Sequence, residues 1–137
     1  ASEFNATLVP LDEIYDQDVD IYAPCALGAS INDNTIERIK ASIIAGCANN
    51  QLAKPHFDRV LRDKGILYAP DYVINAGGII NISFEDNYNA DLATQKVKEI
   101  YNTLLKVFIK ADELQIPTGA IADELARKII KRKAMSK

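Results

Sequence analysis

Three short apolar runs rich in β-branched residues alternate with helix-like segments through the first half of the chain. They are VDIYAPC at 19–25, SIIAGC at 42–47 and GILYAP at 65–70. Short runs of this kind, separated by helical patterns, are typical of parallel βαβ units. The sequence therefore predicts an α/β fold in which parallel strands are joined by crossover helices.

Both segments between these runs carry ordinary helix signals. The stretch NDNTIERIKA at 32–41 offers Asn32 or Asp33 as an N-cap. The second segment has Pro55 at a first helical turn and Gly65 where a helix would stop. We expect a crossover helix in each. Before the first run, ATLVP at 6–10 is compatible with one further strand, and ASEFN with the end of a helix.

The second half of the chain changes from strands to helices. Apolar residues that include Val97 and Tyr101 recur at three- and four-residue spacing from Asp91 to about Gln115, which predicts a long amphipathic helix. Pro117 should end it, and Thr118 can cap a second helix. The predicted buried stripe of that second helix is Ile121, Leu125 and Ile129.

Composition narrows the class of protein. The chain has 137 residues, 48% of them hydrophobic and 26% charged, which suits one globular domain. A net charge of −3 with scattered cations argues against nucleic acid as a partner. No apolar stretch approaches the roughly 20 residues that span a bilayer, and no leader is recognisable, so we expect no membrane partner and a cytoplasmic location. Because the chain begins without Met, we expect a piece of a longer protein or a processed form.

Candidate catalytic and metal-binding residues are scarce. Cys25 and Cys47 are far apart and form no CxxC pair, so we expect two buried small hydrophobes and neither a zinc site nor a disulfide. The single histidine, His56, is predicted to lie at the surface. Asp71 could act as a base, although an aspartate after proline at a strand end is more often a cap or turn residue. We therefore predict no catalytic residue and no metal site in this chain.

The residues just after the three predicted strands are the candidate ligand site, because ligands of parallel α/β sheets bind at the carboxyl ends of the strands. These residues are unusually small, and the polar groups among them are chiefly amides. Amides can hold a carboxamide or carboxylate but cannot transfer a proton, which favours binding over acid–base work. The alternative is that each asparagine caps a helix. The amides in question are Asn49, Asn50, Gln51, Asn75 and Asn81.

Three long motifs carry a resemblance to a known family. DIYAPCALGASIND at 20–33, IIAGCANNQL at 43–52 and ILYAPDYVINAGGIIN at 66–81 resemble, in that order, the C-terminal half of the nucleotide-binding domain of leucine dehydrogenases. These belong to the superfamily of glutamate, leucine, phenylalanine and valine dehydrogenases. The resemblance extends from about residue 5 to 133. It implies the C-terminal half of a Rossmann-type doubly wound parallel sheet followed by two C-terminal helices, with residues 1–137 forming a partial NAD-binding domain.

The same resemblance implies roles for particular residues. Residues packing near the NAD cofactor would be Cys25, Ala26, Leu27, Ala48 and Asn50. Asn50 would also contact the substrate. Asn75 and a Gly77–Gly78 turn would form the floor of the cleft, and Ile79 and Ile82 would line the pocket for the substrate side chain. An apolar lining suits an aliphatic L-amino acid and is a poor host for a second carboxylate. Leucine, valine and isoleucine are the expected substrates.

The resemblance also implies what the parent protein does. It would catalyse reversible oxidative deamination of a branched-chain L-amino acid, leucine above all, to its 2-oxo acid and ammonia with NAD, and would be a homo-oligomer. The family's Gly-rich phosphate loop and the domain with its catalytic Lys and Asp would precede Ala1, so we expect this chain alone to be inactive. The rival hypotheses are a non-catalytic α/β ligand-binding module and a self-associating fragment with an unpaired sheet edge.

Overall fold

The computed structural model describes residues 2–135 and contains a parallel three-stranded sheet. Its strands are β1 (Ile21–Tyr22), β2 (Ile43–Ile44) and β3 (Leu67–Tyr68), in the order β1-β2-β3. Ile43 pairs with Ile21 on one side and with Leu67 on the other. This confirms the predicted α/β class and the parallel pairing. The strands are shorter than the apolar runs, which continue into prolines at 24 and 70 that cannot donate to a ladder.

The first predicted crossover helix, at 32–41, is wrong. The segment forms consecutive turns. The Thr35 hydroxyl donates to the Ser30 carbonyl at 2.7 Å, and the Asn32 side-chain oxygen accepts from the backbone N–H of Asn34 at 2.9 Å. Such local side-chain bonds compete with the helical ladder. The apolar residues of this segment, Ile36 and Ile39, are nevertheless buried in the core beside the sheet.

The second crossover helix is confirmed as α1 (Phe57–Asp63), with Phe57 and Leu61 buried against the sheet. The chain leaves it through Gly65, whose φ of +74° is the left-handed conformation expected of a helix stop. Of the two predictions for the N-terminal segment, the strand is wrong. Residues 6–10 form no strand, and the expected helix end at the start of the chain is a short 3₁₀ helix, Ser2–Phe4, followed by another at Leu11–Asp16.

The segment that follows β3 is helical. It forms α2 (Asp71–Ile74) and α3 (Gly77–Ile82), so the predicted Gly77–Gly78 turn is wrong: both glycines lie in the first turn of a helix. Pro70 precedes α2 and supplies a backbone angle that suits a helix start. Both short helices pack against the long C-terminal helix. That packing explains how a glycine pair with poor helix propensity is held in a helix.

The two C-terminal helices are confirmed as α4 (Ala90–Leu114) and α5 (Thr118–Met135). The Asn89 side chain caps α4 by accepting from the backbone N–H of Leu92 at 2.9 Å. Gln115 ends it with a φ of 55°. The helices share a second core made of Val107, Ala111, Ile121 and Ala122. The predicted buried faces of the two helices include residues that the structure leaves exposed, namely Val97, Tyr101 and Ile129.

A corner of side-chain contacts joins the helical pair to the sheet. The Thr118 hydroxyl donates to the carbonyl of Tyr68 in β3 at 2.7 Å, in place of the predicted capping role. The Asp58 carboxylate in α1 lies directly against the start of α5, where a methyl group on Gly119 would stand 2.7 Å from its Oδ2 atom. The start of α5 is therefore fixed to both α1 and β3. Within residues 2–135, no helix has the length and apolar character needed to cross a membrane.

Candidate functional site

The carboxyl ends of the three strands form the candidate site, a crevice bordered by closely spaced backbone. A methyl group on Gly46 would lie 2.2 Å from the Pro24 carbonyl oxygen, and one on Gly28 would lie 2.8 Å from that of Asn49. The N–H of Ala48 donates to the Pro24 carbonyl at 2.9 Å. Only glycine permits these approaches. The small residues at the strand ends therefore bring the loops after β1 and β2 into direct contact.

Asn50 stands at the lip of this crevice in a strained backbone conformation. Its φ is 54°, its carbonyl accepts from the N–H of Ala29 at 2.7 Å, and its own N–H donates to the Asp71 carboxylate. Within residues 2–135 the exposed side-chain amide of Asn50 has no hydrogen-bond partner. The backbone of Asn50 is thus fixed from two sides while its amide is left available to a ligand.

Asn75 lies across the crevice from that loop. Its amide N–H₂ group donates to the Asn49 side-chain oxygen at 2.5 Å and to the Cys47 carbonyl at 3.3 Å. It is the residue after α2, and neither α1 nor α3 has a side-chain cap hydrogen bond. The N-capping alternative for Asn49, Asn50 and Asn75 is therefore wrong, and their side chains lie after the carboxyl ends of the strands.

Gln51 does not face the crevice as the sequence suggested. Its side chain is fully buried and donates to the carbonyls of Gly46 at 2.7 Å and Ala48 at 3.0 Å. It acts as an internal brace that fixes the loop after β2, and with it the position of Asn50. Sequence alone offers little to tell a buried amide from the exposed ones beside it.

The two cysteines are neighbours at this edge, and both are exposed, so the prediction of buried hydrophobes is wrong. They follow Tyr22 and Ile44, which are paired, by three residues each. Hydrogen bonding with the Cys25 thiol raises the pKa of Cys47 above its usual value. The sequence gives no signal for this contact, because it depends on how β1 and β2 pair.

The remaining predicted site residues divide into two groups. Ala26 and Leu27 are exposed beside Cys25, whereas Ala48 is buried beneath the crevice. Gly78, Ile79 and Ile82 lie together on α3 with exposed surface, and Gly77 is half-buried next to α4. The exposed apolar side chains, Ile79 at 68% and Ile82 at 59%, form no part of either core.

Besides the two cysteines, the titratable groups near the crevice are aspartates and tyrosines and not the histidine. His56 is exposed at the start of α1, as predicted. Burial raises the pKa of Tyr68 above its usual range, and its hydroxyl lies 3.5 Å from the Asp71 carboxylate. Burial likewise raises the pKa of Asp58, although the nearby backbone N–H groups at the start of α5 oppose the shift. Asp71 thus joins Asn50 to β3, a role that sequence reasoning reduced to a turn.

Taken together, the fold and the crevice define an α/β protein with amide side chains at the carboxyl edge of a parallel sheet. A sequence model described as "Glutamate/Leucine/Phenylalanine/Valine dehydrogenase" matches residues 2–128. The chain therefore belongs to the glutamate, leucine, phenylalanine and valine dehydrogenase family, which confirms the resemblance drawn from the three motifs.

Individual relatives agree with this assignment. The chain is 53% identical over 129 residues to leucine dehydrogenase of Thermoactinomyces intermedius, covering 93% of this chain and 35% of the relative. It is 49% identical over 136 residues to leucine dehydrogenase of Bacillus subtilis, covering 98% and 37%. The solved structure of L-tryptophan dehydrogenase from Nostoc punctiforme matches with a TM-score of 0.90 and 49% identity, over 94% of this chain and 40% of that one. The chain thus spans about a third of the length of these relatives.

Proposed function

We propose that the parent of this chain is an NAD-dependent dehydrogenase that oxidatively deaminates a branched-chain L-amino acid, leucine above all. In this proposal the chain supplies the C-terminal half of a Rossmann-type NAD-binding domain. The observation that carries the proposal is the unpartnered amide of Asn50 at the carboxyl ends of three parallel strands. The leucine dehydrogenases at 49–53% identity support the reaction class.

The chemistry of the crevice fits a nicotinamide. A neutral amide such as that of Asn50 both donates and accepts, which matches the carboxamide of the cofactor without placing a fixed charge against its ring. Cys25, Ala26 and Leu27 would pack beside the cofactor, and Ala48 would support it from below. When bound, the nicotinamide supplies the hydride acceptor for the reaction. The residues of this chain bind it and fix its orientation.

The substrate would lie between Asn50 and α3. Asn50 and Asn75 would contact its polar groups, and Ile79 and Ile82 would contact its aliphatic side chain. Gly77 and Gly78 begin α3, and a methyl group on Gly78 would meet no atom of the protein within 4 Å. The space over Gly78 is thus open to a ligand. Proton transfer would be performed by groups in the rest of the parent, because the amides of this crevice cannot perform it.

Two measurements test this proposal. The full-length parent should reduce NAD when L-leucine is added, followed by absorbance at 340 nm, and should prefer L-leucine to L-glutamate. Asn50→Ala should lower kcat/KM about 100-fold or more, in line with the loss of one positioned polar contact. A matched exposed control is Asn102→Ala on α4, which should leave kcat/KM unchanged. Equal activity of the Asn50 variant would contradict the assignment.

The isolated chain gives a second, independent check. We expect weak or no binding of NADH by fluorescence titration, because half of the proposed cofactor site lies elsewhere in the parent. Submicromolar affinity would contradict the proposed division of the site between this chain and the rest of the protein.

An exposed apolar surface on α4 favours a second property, self-association. Every fourth residue from Val97 to Ile109 is apolar and exposed, which places all of them on one face of the helix. We name this surface the α4 outer stripe; it consists of Val97, Tyr101, Leu105 and Ile109. Such a surface is typical of a contact with another protein surface. We propose that the parent is a homo-oligomer and that this stripe takes part in subunit or domain contacts.

Size-exclusion chromatography tests the self-association of this chain. The elution volume should decrease as the concentration of the chain rises, and Tyr101→Lys should abolish that dependence because it places a charge in the stripe. Lys98→Glu, on another face of α4, is the matched control. A monomer at every concentration would contradict self-association through this face.

A further inference from the structure

The arrangement of Cys25 and Cys47 carries an inference beyond cofactor and substrate binding. Strands β1 and β2 are parallel and in register, with Tyr22 paired to Ile44. Each cysteine follows its paired residue by three positions. Beyond the strands the N–H of Ala48 donates to the Pro24 carbonyl, which places Cys47 opposite Pro24 and next to Cys25. Neither is paired in a disulfide, and both are exposed.

Backbone contacts hold the two cysteines at the separation of neighbouring strands. The Pro24 carbonyl, joined directly to Cys25, accepts from the N–H of Ala48, joined directly to Cys47, at 2.9 Å. On the other side of Cys47, Gly46 lies against Pro24 with no room for a methyl group. Neighbouring strands are about 4.8 Å apart, within the range of roughly 4.4–6.8 Å that disulfides span between Cα atoms.

The two thiols lie close enough for Cys25 to raise the pKa of Cys47. Cysteines on neighbouring backbone segments at such a separation can be bridged by a disulfide. Burial does not protect either sulfur from a small oxidant, because both cysteines are exposed.

We propose that Cys25 and Cys47 are a redox modification site at which hydrogen peroxide forms a reversible disulfide between the ends of β1 and β2. One thiolate attacks a peroxide oxygen, which breaks the O–O bond, oxidises the sulfur to a sulfenic acid and releases hydroxide. The second thiol attacks that sulfur, forms the S–S bond and releases water. In total, two thiols are oxidised to one disulfide and one peroxide is reduced to two water molecules. The second water forms when the released hydroxide takes up the proton that the first thiol lost on ionising.

The position of this pair gives the modification a consequence that rests on the proposed function. Cys25 lies where the cofactor is proposed to pack, and the Cys47 carbonyl accepts a hydrogen bond from Asn75. A disulfide would bring the sulfur of Cys25 toward β2 and restrain the loop that carries Asn50. The oxidised protein would therefore hold a crevice of different shape from the reduced one.

The thiol chemistry is tested on the chain itself, without any ligand. Treatment with equimolar hydrogen peroxide should reduce the number of thiols titrated by dithionitrobenzoate from two to none, with a mass loss of two hydrogens and a Cys25–Cys47 peptide under non-reducing digestion. Dithiothreitol should restore both thiols. The single variants Cys25→Ser and Cys47→Ser should instead gain oxygen at the remaining sulfur. Thiols that stay free, or disulfides formed only between two chains, would overturn the proposal.

Because these measurements need no dehydrogenase activity, they are independent of the proposed function. The consequence for the crevice is tested in the parent. Peroxide should lower the activity of the unsubstituted enzyme at least tenfold, reversibly, whereas Cys47→Ser should keep its basal activity and lose the reversible response. If the disulfide forms and the activity of the parent does not change, the proposed effect on the crevice is wrong. If the parent has no dehydrogenase activity at all, only the proposed function is wrong.

Discussion

The Asp71 carboxylate accepts a hydrogen bond from the backbone N–H of Asn50, and this one bond joins the end of β3 to the loop after β2. Asn50 has a φ of 54°, a conformation that costs a non-glycine residue roughly 1–3 kcal/mol unless its surroundings stabilise it. Asp71 is the acidic group that holds this conformation, and it does so from the first turn of α2.

Replacement of Asp71 should therefore loosen the lip of the crevice. We expect Asp71→Ala to lower the free energy of unfolding by about 1–2 kcal/mol, the usual cost of a lost charged hydrogen bond. The Asn50 amide should also exchange its hydrogen faster, as measured by NMR, whereas the amides of β2 should not. Asp86→Ala, in the exposed 3₁₀ helix Glu85–Asn87, is the control. Unchanged exchange at Asn50 would show that the bond does not hold the loop.

The contact between Gly46 and Pro24 should tolerate no side chain. A methyl group at Gly46 would lie 2.2 Å from the Pro24 carbonyl oxygen and 2.5 Å from its nitrogen, and both are backbone atoms. Gly46→Ala should cost about 3 kcal/mol or more, or prevent folding, as judged by urea denaturation. Gly65→Ala is the comparison, since its φ is +74° but its surroundings are open; its cost should be only about 1–2 kcal/mol.

A different result is expected for Gly78, which is helical and has open space around it. Gly78→Ala should raise the free energy of unfolding by about 0.5–1 kcal/mol in thermal denaturation. In the parent, the same methyl group would occupy space that we assign to the substrate and should raise KM for L-leucine. A more stable enzyme with an unchanged KM would contradict the placement of the substrate over α3.

The contribution of Asp58 to the free energy of unfolding should decrease as pH rises. Its pKa is raised above the usual 3.8 by burial, which outweighs the opposing effect of the polar groups of Ala120, Gly119 and Thr118 at the start of α5. The folded state therefore holds this proton more tightly than the unfolded state. Its contribution to the free energy of unfolding is largest below pH 3.8 and is lost as pH rises through the raised pKa. Asp58→Asn should remove this dependence and keep an acceptor for α5, whereas Asp58→Ala should destabilise at every pH.

Glu124 should show the opposite dependence. Hydrogen bonds from Lys128 and Lys110 lower its pKa from 4.5 to about 2. The unfolded state takes up the proton first, so the stabilising contribution is present above pH 4.5 and is lost as pH falls toward 2. Its size should be small, because exposed ion pairs contribute little and salt screens them. Acid titration of Glu124→Gln by circular dichroism, compared with the unsubstituted chain, measures it; an identical acid midpoint would show no contribution.

The sequence anticipated those features that local signals determine. Alternating apolar runs predicted the parallel sheet, and Gly65, Pro117 and the apolar period of α4 predicted the helix ends within a residue or two. The turns at 32–41 were missed because Thr35 and Asn32 satisfy backbone groups that a helix would use. The helical state of Gly77 and Gly78 was missed because packing on α4 overrides their weak propensity.

The candidate site was predicted in its location more than in its detail. Strand ends are visible in a sequence, so Asn50 and Asn75 could be named in advance. The contact between Cys25 and Cys47 depends on the pairing of β1 with β2, which no spacing along the chain discloses. The burial of Gln51 depends on how the loop after β2 folds back on itself. The pairing of β2 with β3 makes Asp71 a partner of Asn50 across 21 residues of sequence.

The corner at Thr118 and Asp58, where α5 contacts the sheet, has a consequence for how the molecule unfolds. Its two cores share no residue, one lying against the sheet and the other between α4 and α5. Besides the packing of α2 and α3 on α4, two contacts link them: the corner at Thr118 and Asp58, and a hydrogen bond from Arg62 in α1 to the Gln115 side chain. Each core can then open as its own cooperative unit, so native-state hydrogen exchange should resolve two foldons whose coupling is set by these few contacts.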